Sequence, residues 1–447
     1  MDLDLSLPDD VLAGVLGRLT PRYLAVSRCV CKAWRHVVDT NRLLHADLLP
    51  LSLGGIFFNY QDLWFTQFLS RPTTGAVVSG RLDYTVPGNS DGMPLIYVKD
   101  YCNGLLLLRH CVVNPATQQW AFLPPRPPLA QPLPNTDIEH IFREEYLVFD
   151  PTISPNYELF IVPQIPFNLN ESEESEWPPS TLILSVLSSK TGSWEERAFN
   201  RDGVTVRTLP GMIGSVRFRR HQCGYWREAL YICCSDYFVM RISLSDNKYQ
   251  VIRLIAEDGG PKEQQDFYLG QSDKGIYCAS FFQKSHLQVW FLNNQTEWVL
   301  KHDRDISPVL PNLDKYNIKR GGPWILQEFN YWEDDVQHSD DEDYSIEEVN
   351  DEAIVDVTFM WDSDNDNVLE PGRKSNVGYM DFLGFHPFKE VVFLMSDRLD
   401  RVLAYNWSTS KLQDLGKVFP KFYTDLGRRE LYHNSIVIAS WGNSQKN

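Results

Sequence analysis

Three carboxylates at alternate positions, Asp362-Ser363-Asp364-Asn365-Asp366, begin as a calcium loop begins, with oxygen donors at its first, third and fifth places. The pattern then breaks. Asn367 stands where the sharp turn needs glycine, and Arg373 stands where the bidentate glutamate belongs. The segment reads as an acidic loop, and no metal is expected there. Thiol chemistry fares no better: Cys29-x-Cys31 has the wrong spacing for a zinc pair, and Cys233-Cys234 has no histidine at ligand distance in sequence. The chain contains no G-x-S-x-G, H-E-x-x-H, P-loop or G-x-G-x-x-G motif. No cofactor and no catalytic residues are expected. Its many carboxylates keep one enzymatic alternative open, a divalent-dependent hydrolase with an acid–base pair in a central channel.

Two other short motifs have competing readings. Arg217, Arg219, Arg220 and His221 surround Phe218, a cluster too short for nucleic-acid binding and equally suited to an exposed strand edge. Leu123-Pro124-Pro125-Arg126-Pro127-Pro128 has the composition of a polyproline ligand, but in a strand-rich context it is expected to be the exit from a strand.

Two kinds of element must position whatever these residues do. Residues 5–48 are helical in pattern. Pro8, Asp9 and Asp10 suit a helix start, and Val11, Leu12, Val15, Leu16 and Leu19 recur at helical spacing. Thr20-Pro21 repeats the start signal, Val30, Trp34, Val37 and Val38 mark a third segment, and Leu43, Leu44 and Leu48 suggest a last short helix. So few residues cannot bury this apolar surface against one another. The stripe therefore docks either on the rest of this chain or on another protein.

Beyond about residue 54 the helical period disappears. Short β-branched and aromatic runs alternate with Gly, Pro, Asn, Asp and Ser turns. Five segments share one form, an apolar strand, a polar turn, then a large residue opening the next strand: Val113–Trp120, Leu187–Trp194, Ile242–Tyr249, Phe291–Trp298 and Tyr405–Leu412. Their closing residues are spaced by 74, 55, 49 and 114 positions. Steps near ~50 fit propeller repeats of four strands each. The longest step leaves room for two blades, giving about six in all. Trp120, Trp194 and Trp298 are expected as core between blades.

The head resembles an F-box. Leu7-Pro8-Asp9-Asp10-Val11-Leu12, Val15-Leu16-Gly17-Arg18-Leu19 and Arg28-Cys29-Val30-Cys31-Lys32-Ala33-Trp34-Arg35 carry the likeness, with Thr20 where the family usually has proline. The resemblance implies binding to the adaptor Skp1, and through it to a cullin-RING ubiquitin ligase. It implies contacts, or residues shaping them, at Leu7, Pro8, Leu12, Val15, Leu16, Leu19 and Trp34. The body resembles the F-box-associated domain of plant F-box proteins, a kelch-like β-propeller. The marks are Tyr101-Cys102-Asn103-Gly104-Leu105-Leu106, Asn114-Pro115-Ala116-Thr117-Gln118-Gln119-Trp120 with Leu123-Pro124-Pro125, and Phe149-Asp150-Pro151 with Ser154–Glu158. Gly54-Gly55, Gly259-Gly260 and Gly321-Gly322 do not keep a kelch register.

The expected architecture is therefore α+β by domains, a small all-α F-box at 1–50 and an all-β propeller of about six blades at 51–447. The implied role is substrate receptor of a Skp1–cullin–F-box ligase, with its target unidentified; a scaffold outside ubiquitination is a further alternative.

Composition sets bounds on this. The 447 residues carry a net charge of −17, yet fifteen Asp and Glu and no Lys or Arg lie between Glu333 and Asp366. Removing those fifteen leaves −2 for everything else. Residues 333–366 are expected to be a disordered insertion, too acidic and too poor in apolar side chains to order on the body. The remainder shows no basic excess that would suit nucleic acid. Eight cysteines, an acidic start at Met1-Asp2-Leu3-Asp4 and no long apolar run predict a reduced protein of cytoplasm or nucleus, with no membrane partner.

Overall fold

A computed structural model describes residues 8–19, 24, 27–28, 30–41, 43, 51–60, 66–72, 80–85, 96–128, 143–151, 153–163, 178–203, 222–235, 238–254, 267–272, 274–282, 285–310, 322–327, 366–369, 380–396, 399–419 and 436–441. The acidic segment up to residue 365, the Arg217–His221 cluster, Thr20-Pro21 and Ile354–Trp361 lie outside these.

Two helices head the chain, α1 (Asp9–Leu16) and α2 (Lys32–Thr40). Strands β1 (Leu51–Phe58) and β2 (Gln67–Ser70) follow, then four-stranded runs: β3 (Asp100–Cys102), β4 (Leu105–Leu107), β5 (Cys111–Asn114) and β6 (Gln119–Phe122); β7 (Arg143–Val148), β8 (Glu158–Pro163), β9 (Thr181–Ser188) and β10 (Ser193–Arg201). The next are β11 (Cys223–Trp226), β12 (Ala229–Ser235), β13 (Phe238–Ser243) and β14 (Lys248–Arg253); then β15 (Phe267–Ser272), β16 (Gly275–Phe282), β17 (His286–Leu292) and β18 (Trp298–Asp305). After the lone β19 (Ile325–Gln327) come β20 (Met380–Phe385), β21 (Val391–Ser396), β22 (Arg401–Asn406), β23 (Lys411–Lys417) and finally β24 (Ile436–Trp441).

Each run forms an antiparallel meander, except that β10 and β14 also pair in parallel and so join two meanders into one eight-stranded sheet. Chain ends close the remaining sheet, in the order β19-β2-β1-β24. The first strands of the meanders neighbour one another: β3 lies against β7, β11 against β15, β15 against β20, β20 against β24, and β24 against β3. Buried Asp100 links β3 to both β7 and β11. Its carboxylate accepts the Leu147 N–H of β7 at 2.7 Å and the Cys223 thiol of β11 at 3.5 Å. This is a propeller-like arrangement. Among the described residues, the long step between Trp298 and Leu412 holds one meander and β19, which returns to pair with β2.

The repeated turn is the hairpin between the third and fourth strand of each meander. In three copies an asparagine caps it: Asn114 Oδ1 accepts from Ala116 and Thr117 N–H, Asn293 Oδ1 from Gln295 and Glu297, and Asn406 Oδ1 from Ser408 and Thr409. The turn ends on a left-handed residue in all five: Gln118 (φ 55°), Gly192 (68°), Asn247 (54°), Thr296 (61°) and Ser410 (58°). Two residues later comes the large side chain that opened the sequence comparison. Its fate differs between copies. Tyr249 and Leu412 are fully buried, and Trp194 and Trp298 donate to the Pro124 and Arg253 carbonyls of the preceding meander. Trp120 is 38% exposed, edge-on to exposed Phe122 at 4.5 Å, and so is not the core residue expected.

Close backbone approach fixes the closing sheet. A Cβ on Gly322, just before β19, would sit 2.2 Å from the Gly416 Cα of β23, and Trp324 N–H donates to the Leu415 carbonyl at 2.9 Å. At the end of β20, His386 is buried; its Nδ1 accepts the Phe388 N–H at 3.0 Å and its ring stacks on Phe393. Burial, then the nearby Lys389 and Arg71 charges, push its pKa from 6.5 down to about 3. The folded state thus keeps His386 neutral while the unfolded chain takes up a proton below pH 6.5. Stability is fully present above pH 6.5 and declines as pH falls towards 3. Between pH 6.5 and 5 the expected loss from this group is roughly 1.5 kcal/mol. His386→Asn, which retains an acceptor near Nδ1, should flatten urea-melt stability over that window; an unchanged slope would contradict the assignment.

Candidate functional site

Local sequence builds the helical head. Pro8 caps α1 with its carbonyl, which accepts Leu12 N–H at 2.9 Å, and Asp9 and Asp10 occupy the first turn, where the helix dipole favours them. Cys31 caps α2, its sulfur accepting Trp34 N–H at 3.5 Å. Arg28 grips Asp39 through Nε at 2.6 Å and Nη2 at 3.1 Å, fixing the chain before α2 against the end of that helix.

The apolar stripe of α1 divides into two faces. Leu12 and Leu16 point inward with Leu24, Val37 and Val38, and half-buried Trp34 packs on that cluster. Leu16 is 1% exposed. Val11, Val15 and Leu19, at spacing i, i+4 and i+8, face outward, as does Val30; Val15 is 51% exposed. Of the residues named from sequence, Pro8, Val15 and Leu19 are exposed, Leu12 and Leu16 hold the helices together, and Leu7 lies outside the described residues. Val11 and Val30 share the outward face although they were not among the contacts that the resemblance implied.

On the body, topology separates two faces. The turns within the first and third hairpins of each meander point one way, and most are tight. Asn103-Gly104, with φ of 44° and 90°, and Arg227-Glu228, with 48° and 57°, are examples. Connections between second and third strands, and from a last strand to the next first strand, leave from the opposite face. They include 123–142, 164–180, 202–222, 254–266, 328–379 and 418–435; two other long connections, 71–99 and 306–324, join strand ends on opposite faces. The proline-rich segment belongs here. Arg126 Nε and Nη2 hold the Glu145 carboxylate of β7 at 2.6 and 3.0 Å, and Pro124 accepts from Trp194, so the segment is a strap between meanders. Of the acidic loop's carboxylate run, Asp366 alone falls among the described residues, followed by Asn367. Asn367, Val368 and Leu369 pair with the outer edge of β23. Among the described residues no group of three or more His, Cys, Asp or Glu is placed to hold a metal, and no helix is long and apolar enough to cross a membrane.

The family model of the F-box domain matches residues 5–46. The chain opens with an F-box domain. F-box domains bind Skp1 in Skp1–cullin–F-box complexes, so the match implies an adaptor role, carried here ahead of a propeller-like region. No curated protein matches the chain. Among solved structures, "YCF48 bound to D1 peptide" is 8% identical with a TM-score of 0.32, covering 81% of this chain and 82% of its own. A chain of the "Crystal Structure of Mitotic Checkpoint Complex" is 9% identical at 0.29, covering 71% and 76%. One from a study of two prolyl endopeptidases is 10% identical at 0.30, covering 90% and 56%. Scores this low carry no argument about this chain.

Proposed function

We propose that this protein is the target-binding subunit of a Skp1–cullin–F-box ubiquitin ligase. The observation that carries the reading is the F-box match over residues 5–46 together with an outward apolar face on the same helices. Val11, Val15 and Leu19, with Val30, dock on Skp1. Leu12 and Leu16 contribute by holding α1 against α2, with Trp34 packed beside them, and Leu7 and Pro8 set the entry to the helix. The desolvated apolar contact supplies the docking energy.

The body holds the target. We take it as a six-bladed propeller in which each meander is a blade and the closing sheet, built from both chain ends, is the sixth. Targets bind on the face that carries the long connections, since binding residues concentrate on loops held by a rigid scaffold. The chain makes and breaks no covalent bond. It raises the effective concentration of a target lysine beside the ubiquitin-charged enzyme. Free thiols at every described cysteine support a reducing compartment, cytoplasm or nucleus.

Affinity purification of the intact protein beside a form lacking residues 1–50 tests the division of labour. Ligase subunits should vanish with the F-box and targets should remain. Targets should also accumulate in cells expressing the shortened form. Unchanged target turnover would favour a scaffold outside ubiquitination instead.

A further inference from the structure

The fourth strand of each meander is its outer edge, and such an edge presents unpaired N–H and C=O groups unless something covers it. β10 and β14 pair with each other at Asn200 and Arg201. The outer edge of β23 is taken by residues 367–369. Leu369 N–H donates to the Leu412 carbonyl at 2.8 Å, Asp414 N–H donates to the Asn367 carbonyl at 3.2 Å, and Val368 stands opposite Gln413 in an antiparallel bridge. β18 carries Lys301, Asp303, Arg304 and Asp305, charges that oppose the addition of a strand. Among the described residues β6 has neither cover nor charge; it reads Gln119-Trp120-Ala121-Phe122.

The backbone of β6 is set to receive a partner. Leu123 N–H donates to the His110 carbonyl opposite it at 2.8 Å. By antiparallel alternation, Gln119, Ala121 and Leu123 turn their backbone groups to β5, and Trp120 and Phe122 turn theirs outward. β23 has the same phase. Leu412 and Asp414, which stand two and four residues after the left-handed residue as Trp120 and Phe122 do, are the ones that bond to 367–369. The side chains of Trp120 and Phe122 share a face with buried Val113 and Cys111, their register partners, and so carry the core face of the first meander out to the rim. There they stay 38% and 54% exposed.

We propose that the β6 edge takes up an extended, uncharged segment of a partner protein as an added antiparallel strand, with apolar side chains on either side of the residue that faces Ala121. Residues 367–369 on β23 supply the pattern. The first residue of the segment accepts Phe122 N–H with its carbonyl, and the third donates its N–H to the Trp120 carbonyl. The side chains of those two residues then fall on the aromatic face, and the middle one falls on the other. A charged side chain beside Trp120 and Phe122 would shed its hydration with no counter-charge on the strand. The edge lies on the outer rim, distinct from the long-connection face, and the inference stands independently of the ligase reading.

The test presents the immobilised full chain with a library of end-blocked heptapeptides. Positions 3 and 5 are drawn from Val, Ile, Leu and Phe, and the others from Ser, Thr and Gln. The library should be retained, and N-methylation at position 5, which removes the donor to the Trp120 carbonyl, should weaken retention at least about tenfold. N-methylation at position 4, whose N–H faces away from β6, should change it far less. Aspartate at positions 3 and 5 should abolish it. Trp120→Ala with Phe122→Ala should also cost at least about tenfold. Val299→Ala with Leu300→Ala, an exposed apolar pair on β18, should leave retention unaltered. The methylated libraries read the pairing with no change to the protein, so the test does not depend on how the variants fold. No retention of the parent library, or equal retention after methylation at positions 4 and 5, would overturn the proposal. Light scattering without peptide should give the mass of one chain. A dimer that Trp120→Ala with Phe122→Ala dissolves would assign the edge to a second copy and overturn the proposal as well.

Discussion

Val11→Asp combined with Val15→Asp is expected to lower Skp1 affinity at least about a hundredfold while the fold of the body is untouched. Both side chains are exposed and lie one helical turn apart, so neither substitution removes a contact of the helical core. In the complex each valine would be desolvated, worth about 1.5 kcal/mol or more, and each aspartate would have to shed its hydration against an apolar partner. Two such losses exceed the ~2.8 kcal/mol that a hundredfold change requires. Leu12→Asp with Leu16→Asp is expected to abolish binding by another route. It puts charges among Leu24, Val37 and Val38, so the helical signal itself should melt. Circular dichroism of residues 1–50 within the full chain, read as the difference from a form lacking them, separates the two outcomes. Full Skp1 binding by the Val11/Val15 variant would show that the outward face is not the docking face.

Arg401→Met is expected to be the most destabilising single change in the body. The Arg401 side chain is 1% exposed and meets Asp414 with Nε at 2.8 and 2.9 Å and Nη2 at 2.7 Å. It spans from β22 to β23 in the last meander, beside buried Val402, Leu403 and Leu415. Removing the guanidinium leaves a carboxylate with its main counter-charge gone, at a cost of about 3–5 kcal/mol. Replacing both partners by apolar residues of similar size, Arg401→Met with Asp414→Leu, should recover most of that loss, because a buried pair gains little over good packing. Urea denaturation of the single and double variants gives the coupling directly. Additive losses would mean that the two residues act separately.

Several parts of this structure are written locally, and those parts were legible. The repeated hairpin depends on a capping Asn at its first position in three copies and a left-handed residue at its last position in all five, so a reader of sequence finds its copies without any neighbours. The α1 stripe is likewise set by spacing. Which half of it faces outward is not, because Val11, Leu12, Val15 and Leu16 are all good core residues and only the placement of Val37 and Val38 decides. Trp120 shows the same limit. Its turn ends on a left-handed residue as those of Trp194 and Trp298 do, but those two find a carbonyl on the preceding meander, and among the described residues Trp120 finds none.

The closing sheet had no local signal at all. β1 and β24 lie at opposite ends of the chain, and β19 reaches β2 across some 255 positions, as the Ser70 bond to the Ile325 carbonyl records.

The most direct test is assembly. Purified full-length protein mixed with Skp1 and a cullin should elute from a sizing column as a single complex holding one copy of each. Light scattering would give the summed mass, and Val11→Asp with Val15→Asp should return the chain to its own elution volume. A folded chain that never co-elutes with Skp1, at concentrations where other F-box domains do, would contradict the assignment.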